Sequence, residues 1–217
     1  MKLIKFTIIL LYLFLVFLIS IVFKKFNENS RETVRKIVHI GIGPLIPIAK
    51  FIKIDQNSAL IFTGIVSLMV FFNYIYKLFP TIEDVERKSF GTLFYCLSLF
   101  FLIYLFWDKD PYALITGFFI MTFGDGLAGL IGKSFNSRSW IFFKQKKSLF
   151  GTMTMFLTSL IVVCSVGYAQ QNRLNLNLNY FTIAFFATLL EQFSVLGIDN
   201  FIVPISSALF FNFFITS

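Results

Sequence analysis

A few polar residues in this sequence stand where lipid-like surroundings make them costly. Asp125 lies within the apolar stretch Phe118–Ile131, and His39 follows Arg35-Lys36. Glu191 ends another apolar run, and Asp199-Asn200 opens the next. Ionisable groups in such places mark ion, proton or substrate sites. The stretch Gly124-Asp125-Gly126-Leu127-Ala128-Gly129-Leu130-Ile131-Gly132 has G-x-G-x-x-G spacing. No strand-like run precedes it and no acid follows about twenty residues on, so a dinucleotide-binding fold is not indicated. Two readings of the glycines remain. Gly124, Ala128 and Gly132 form a small-residue face for helix packing. Alternatively, Gly124 and Gly126 let backbone N–H groups approach a phosphate, with Lys133, Lys146, Lys147 and Ser148 as further donors. Asp125 beside them is the kind of carboxylate that holds Mg²⁺ together with substrate phosphates. His39 reads as a general base, a phosphate donor or a satisfied interfacial histidine. The acids Glu83, Asp84 and Glu86 read as a solvated loop or as part of the site. Tyr76, Trp107, Tyr112 and Tyr168, near run ends, fit an interfacial aromatic belt.

The elements that must position these residues follow from composition. The chain has 217 residues, of which 57% are hydrophobic and 14% charged. Soluble domains average about 45–50% apolar and about 25% charged. Thirty-two Phe and a mean hydropathy of +0.81 exclude a soluble globule, for lack of polar surface, and a disordered chain. Cys96 and Cys164 have no metal-ligand spacing and exclude a disulfide scaffold. An all-α, polytopic integral membrane protein of seven or eight helices remains, with residues 1–217 as one domain. Its net charge of +8 then speaks of orientation and headgroups rather than nucleic acid.

A span needs roughly 20 apolar residues. The candidates are Phe6–Phe23, Ile37–Ile54, Ala59–Tyr76, Gly91–Trp107, Tyr112–Ile131, Leu149–Tyr168, Tyr180–Val195 and Phe201–Ile215. The first reads as a retained anchor within residues 1–25, since Lys24-Lys25 follow it and no small-x-small cleavage site does. The second is the least regular, holding His39, Pro44, Pro47, Lys50 and Lys53. The last two are short and could form a re-entrant hairpin. Barrel strands are not expected, because the runs are continuous rather than alternating.

With eight spans, the linkers Lys24–Lys36, Lys77–Phe90 and Gly132–Ser148 share one side and carry thirteen of the nineteen basic residues. The positive-inside rule places that side, and the polar residues near it, in the cytoplasm. The asparagine-rich patch Gln170–Asn179 reads as a polar connector opposite.

Four ordered segments resemble one family: Arg35-Lys36-Ile37-Val38-His39, Phe123-Gly124-Asp125-Gly126-Leu127-Ala128, Lys146-Lys147-Ser148-Leu149-Phe150-Gly151-Thr152, and Glu191 through Asn200 with Pro204 beyond. They are similar to the CTP-dependent polyprenol kinases, which include phytol, farnesol and dolichol kinases and a CTP-using diacylglycerol kinase. The resemblance covers residues 35–210, and the compact length is most similar to the phytol kinases. It implies transfer of a phosphoryl group from CTP, with Mg²⁺, to a membrane-dissolved isoprenoid alcohol, phytol first. It implies roles for Asp125, Lys146, Lys147, Ser148, Gly151, Glu191, Asp199 and Asn200. Together with the reading of the residues, this makes Asp125, Glu191 and His39 the expected catalytic residues, Asp125 and Asp199 the metal ligands, and Gly124, Gly126, Lys133, Lys146, Lys147, Ser148, Gly151 and Asn200 the residues around the nucleotide. The expected partners are the lipid alcohol, the nucleotide and membrane lipids, without nucleic acid. Phe150 stands where the family carries an acid, and Asn136 where relatives have Gly. The competing expectations are a lipid cytidylyltransferase, which would release pyrophosphate, and a small transporter. The latter calls for midplane polar groups and two related halves, neither of which the sequence displays.

Overall fold

In hydrocarbon every backbone polar group has to be satisfied internally, so continuous apolar runs become helices. The computed structural model describes residues 2–26, 31–76, 90–143, 145–173, 177–193 and 195–216. In chain order the elements are α1 (Lys2–Phe26), α2 (Arg31–Gly41), α3 (Leu45–Phe51), α4 (Gln56–Tyr76) and α5 (Gly91–Phe106). Then come α6 (Pro111–Phe119), a π-helical turn (Ile120–Asp125) and α7 (Gly126–Ser134). A short hairpin, β1 (Ser139–Phe142) and β2 (Gln145–Ser148), leads to α8 (Leu149–Gln171), α9 (Leu178–Gln192) and α10 (Asp199–Phe211), which ends in a π-helical turn, Asn212–Thr216.

Five helical stretches are long and apolar enough to cross a membrane: Leu3–Lys25, Gln56–Tyr76, Pro111–Ser134, Leu149–Gln171 and Asp199–Thr216. α5 is a shorter apolar helix. The fold is all-α and polytopic, as expected. Hydrogen bonds sort the helix ends onto two faces. At one face Lys5 Nζ donates to the Lys53 carbonyl (2.5 Å), Lys50 Nζ to that of Trp107 (2.7 Å) and Gln56 Nε2 to that of Ile103 (2.9 Å). Asp110 caps α6 by accepting from Ala113 N, and its other oxygen accepts from Asn212 and Thr216 at the end of α10. At the opposite face Asn200 Nδ2 donates to the Gly91 carbonyl (3.0 Å), and Phe90 N donates to that of Leu196 (3.0 Å). The ends so joined alternate along the chain, with α2 and α3 together running from one face to the other. α9 begins beside the end of α10, where Asn179 Nδ2 reaches the Phe214 carbonyl. The last two helices therefore run the distance between the faces.

Two local expectations change. The run Ile37–Ile54 is not one helix, because Gly41, Gly43 and Pro44 break it at residues 42–44. The residue before a proline is driven out of the helical region. Tyr12 Oη donates to the Gly41 carbonyl across the break (2.6 Å). Within Gly132–Ser148 the chain forms an antiparallel hairpin, with Ser139 opposite Ser148 and Phe142 opposite Gln145. Its turn places Phe143 in the left-handed region (φ 45°). Glu83, Asp84 and Glu86, and the bases Lys77, Arg87, Lys88 and Lys144, lie outside the described residues, as do residues 174–176 of the asparagine-rich patch.

The core sits where α5, α6, α8, α9 and α10 meet, around Leu102, Phe118, Met155, Ile183 and Phe211, none of them exposed. A Cβ on Gly117 would collide with the Pro204 carbonyl and lie 2.9 Å from the Ala208 methyl. The α6–α10 contact therefore needs glycine there. Gly117→Val should destabilise the fold by at least about 1–3 kcal/mol, the usual cost of overpacking. Thermal unfolding in detergent checks this, and an unchanged Tm would contradict so close a contact.

Candidate active site

The π-helical turn interrupts the long rod Pro111–Ser134 and ends at Asp125. Such turns change the register of the helix and occur mostly at functional sites. Here the turn brings Asp125 against α2. Lys36 Nζ donates to Asp125 Oδ2 (2.6 Å) and to the Asp125 carbonyl (3.2 Å). His39, one turn after Lys36 on the same helix face, has its Nε2 3.5 Å from the same carboxylate oxygen. That nitrogen also lies 3.0 Å from the Met121 carbonyl. A carbonyl only accepts, so Nε2 carries the proton and Nδ1 is the acceptor of the neutral ring. The Tyr95 ring packs on the imidazole with centroids 4.6 Å apart, and Tyr95 Oη donates to the His39 carbonyl.

The approach of α2 depends on α7 lacking side chains. A Cβ on Gly126 would collide with Ile40, and one on Gly129 would lie 2.7 Å from Lys36 Cε. Gly132 and Gly151 serve α7 and α8 in the same way, with the Gly151 Cα 3.2 Å from where a Gly132 Cβ would stand. A Gly124 Cβ would meet Met155 Sδ at 2.9 Å. Gly124 and Gly126 thus lie inside a helical rod, and what the structure displays there is close packing.

A second charged pair forms next to the first. Lys147, on β2, makes an ion pair with Glu191 Oε1 at the end of α9 and donates to the Glu191 carbonyl (2.9 Å). Gln192 Nε2 donates to Glu191 Oε2 (2.8 Å) and to Thr152 Oγ1 (3.1 Å). Ser148 caps α8: its Oγ accepts from Gly151 N (3.2 Å) and donates to the Gly132 carbonyl (3.2 Å). The two pairs are within electrostatic reach of each other. Asp125 feels Lys147, and Glu191 feels Asp125 and Asp199. The side chains of Lys36, Asp125, His39, Lys147 and Glu191 are each at most 15% exposed. Charges so buried require partners, and these have them.

The structure therefore gathers His39, Asp125, Lys147, Ser148, Gly151 and Glu191. Asp199 lies within electrostatic reach of this group. Asn200 is buried and ties α10 to α5 through its Nδ2. Lys133 and Lys146 are exposed. Side chains alternate along a strand, so Lys146 takes the opposite face of β2 from Lys147. Three residues join the site that the sequence reading gave no role: Lys36, Thr152 and Gln192. Lys36 carried a signal, since it stands three residues before His39 in a helix whose apolar and polar faces separate.

Mg²⁺ takes carboxylate and amide oxygens and leaves several positions for water and phosphate. Among the described residues no three His, Cys, Asp or Glu side chains gather as a dedicated cage. Asp125 and Asp199 each lie within electrostatic reach of Glu191, and Asn200 Oδ1 is buried with no hydrogen-bond partner among the described residues. Hard oxygen donors of this kind suit a cation that arrives with phosphates.

No family model matches the chain, and no solved structure matches it. Among named proteins, the phytol kinase of Synechocystis sp. is 34% identical over 200 residues, 91% of this chain and 86% of that protein. The chloroplastic phytol kinase 1 of Arabidopsis thaliana is 27% identical over 206 residues, covering 85% and 67%. The probable chloroplastic phytol kinase 2 of Glycine max is 26% identical over 201 residues, covering 87% and 68%. Identity at that level across nine-tenths of the chain shows the kinship: the chain belongs to the phytol kinase family.

Proposed function

We propose that this protein phosphorylates phytol at the cytoplasmic face of its membrane, with CTP as the phosphoryl donor and Mg²⁺ as cofactor. The observation that carries the reading is two charged pairs, Lys36–Asp125 and Lys147–Glu191, buried side by side at one end of an apolar bundle. The kinship with phytol kinases supports the substrate. The physics agrees. Each CH₂ of the alcohol costs about 0.8 kcal/mol to bring into water, and a nucleotide triphosphate cannot enter hydrocarbon. The two must meet at the interface, where these charges lie.

In the reaction the phytol oxygen forms a bond to the γ-phosphorus, the bond from that phosphorus to the bridging oxygen breaks, and CDP leaves. The hydroxyl proton passes to a base. Bound Mg²⁺ would supply charge neutralisation on the phosphates, held by Asp125 and Asp199. The protein's own work is positioning and electrostatics, which dominate phosphoryl transfer. Lys147 and Lys36 would supply cations to the phosphate oxygens. Glu191, or His39 through Nδ1, orients the hydroxyl and takes its proton. Exposed Lys133 and Lys146 draw the nucleotide toward the site from the aqueous side. Ser148 and Gly151 hold β2 and α8 together and so fix Lys147.

Purified protein in nanodiscs should transfer the γ-phosphoryl of CTP to phytol with a higher kcat/KM than to diacylglycerol or dolichol. Absence of transfer to phytol from any nucleoside triphosphate would refute the assignment. Asp125→Asn strands Lys36 and should cost stability; in the fraction that inserts and folds it should lower kcat by about 10²–10³, the usual value of one electrostatic catalytic group. Near-normal turnover in that variant would remove Asp125 from the mechanism.

Lys147→Met strands Glu191 and should cost about 3–5 kcal/mol of stability. Adding Glu191→Gln should restore most of that stability and none of the activity. Recovery of both would make the pair a structural device only.

With Cys96 and Cys164 replaced by Ser, a cysteine at Arg138 should react with an impermeant maleimide only from the cytoplasmic side, and one at Arg173 only from outside. The reverse pattern would move the active face.

A further inference from the structure

We propose that the β1–β2 hairpin is a membrane-surface element that lies against anionic phospholipid headgroups beside the site. Both of its roots are fixed in the bilayer: it leaves the span Pro111–Ser134 and enters the span Leu149–Gln171. Strands of four residues reach only about 13 Å from those roots. One face of the hairpin is committed to the protein, through the Lys147–Glu191 pair and the Phe142 ring against Phe193, centroids 5.2 Å apart. The other face presents Ile141, 78% exposed, opposite exposed Lys146. Phe143 at the turn and Phe135 at the root are 61% and 58% exposed, while Trp140 lies opposite Lys147 on the committed face.

Charge points to the occupant. Between Asp125 and Glu191 the chain has no acidic residue, while Lys133, Arg138 and Lys146 are exposed in or beside the hairpin. Bases mixed with exposed aromatics, held at headgroup depth, are what an anionic lipid surface binds. A short reach from two membrane-embedded roots brings the hairpin to its own bilayer before any other partner.

Position 141, on the free face, reports on this directly. Trp107 is buried at the opposite end of the bundle, so the difference in emission between the chain carrying Trp140→Phe with Ile141→Trp and the chain carrying Trp140→Phe alone isolates position 141. The measurement uses the full chain in nanodiscs of phosphatidylcholine alone or mixed with phosphatidylglycerol. With phosphatidylglycerol, emission from position 141 should shift to the blue, its quenching by acrylamide should fall several-fold, and brominated lipid should quench it. High salt should reverse these changes, because headgroup attraction is screened within a Debye length. Arg138→Glu with Lys146→Glu should weaken them. Equal acrylamide quenching in both lipids and in detergent would place the hairpin in water and overturn the proposal. Protection that follows protein concentration rather than lipid charge would make this face a protein interface, and would overturn it equally.

Discussion

A carboxylate surrounded by apolar helices needs a cation, and Lys36 supplies one to Asp125 from 89 residues away. Much of the rest can be understood as what that contact requires. α2 has to come close to α7, so Gly126 and Gly129 carry no side chain where Ile40 and Lys36 pass. α2 has to end before it runs on as a span, so Gly41, Gly43 and Pro44 break the chain and Tyr12 takes up a carbonyl left at the break. The π-helical turn sets the register that brings Asp125 to face α2. Stranding one member of a buried pair costs about 3–5 kcal/mol, a large part of a typical total of 5–15 kcal/mol. The pair therefore acts as a lock on the fold as well as a feature of the site.

The second pair repeats the logic with a different carrier. Lys147 comes from a two-stranded hairpin outside the bundle, and Glu191 from the last turn of α9. Ser148, one residue on, both ends the strand and caps α8. Chain entry into α8 and placement of the Lys147 ammonium are thus one geometric decision. Because α7 and α8 meet through Gly132 and Gly151 just below, the hairpin root cannot shift without moving the pair. The result is a polar wall at one end of a greasy bundle.

The helices were legible because hydropathy alone specifies them: seven of the eight runs read from the sequence form unbroken helical rods, with ends close to those observed, and the second is split. The break in the second was foreshadowed by its prolines. The hairpin was not legible, since Ser-Trp-Ile-Phe and Gln-Lys-Lys-Ser are too short for an alternating pattern to stand out. The candidate site was legible as residue types gathered on one face, and the structure joins Asp125, His39, Lys147 and Glu191. What spacing could not reveal was pairing. Which lysine meets which carboxylate depends on how helices distant in sequence pack. For Lys146 and Lys147 it depends on the phase of a strand the sequence did not announce.

Phe150 tests how far the site tolerates change. The motif this segment resembles carries an acid there, and the loss raised the question of which carboxylate remains to hold a cation. Phe150 occupies the second position of α8, is 43% exposed, and rests its ring near Phe135. Asp125 and Glu191 are buried, and each is already compensated by a lysine. An acid at position 150 would add charge at the rim, at a helix N-terminus where negative charge is welcome, and would join neither buried pair. An aromatic ring at the same position instead extends the exposed apolar surface of Phe135, Ile141 and Phe143 along the hairpin root. Both buried pairs are complete with Phe150 in place.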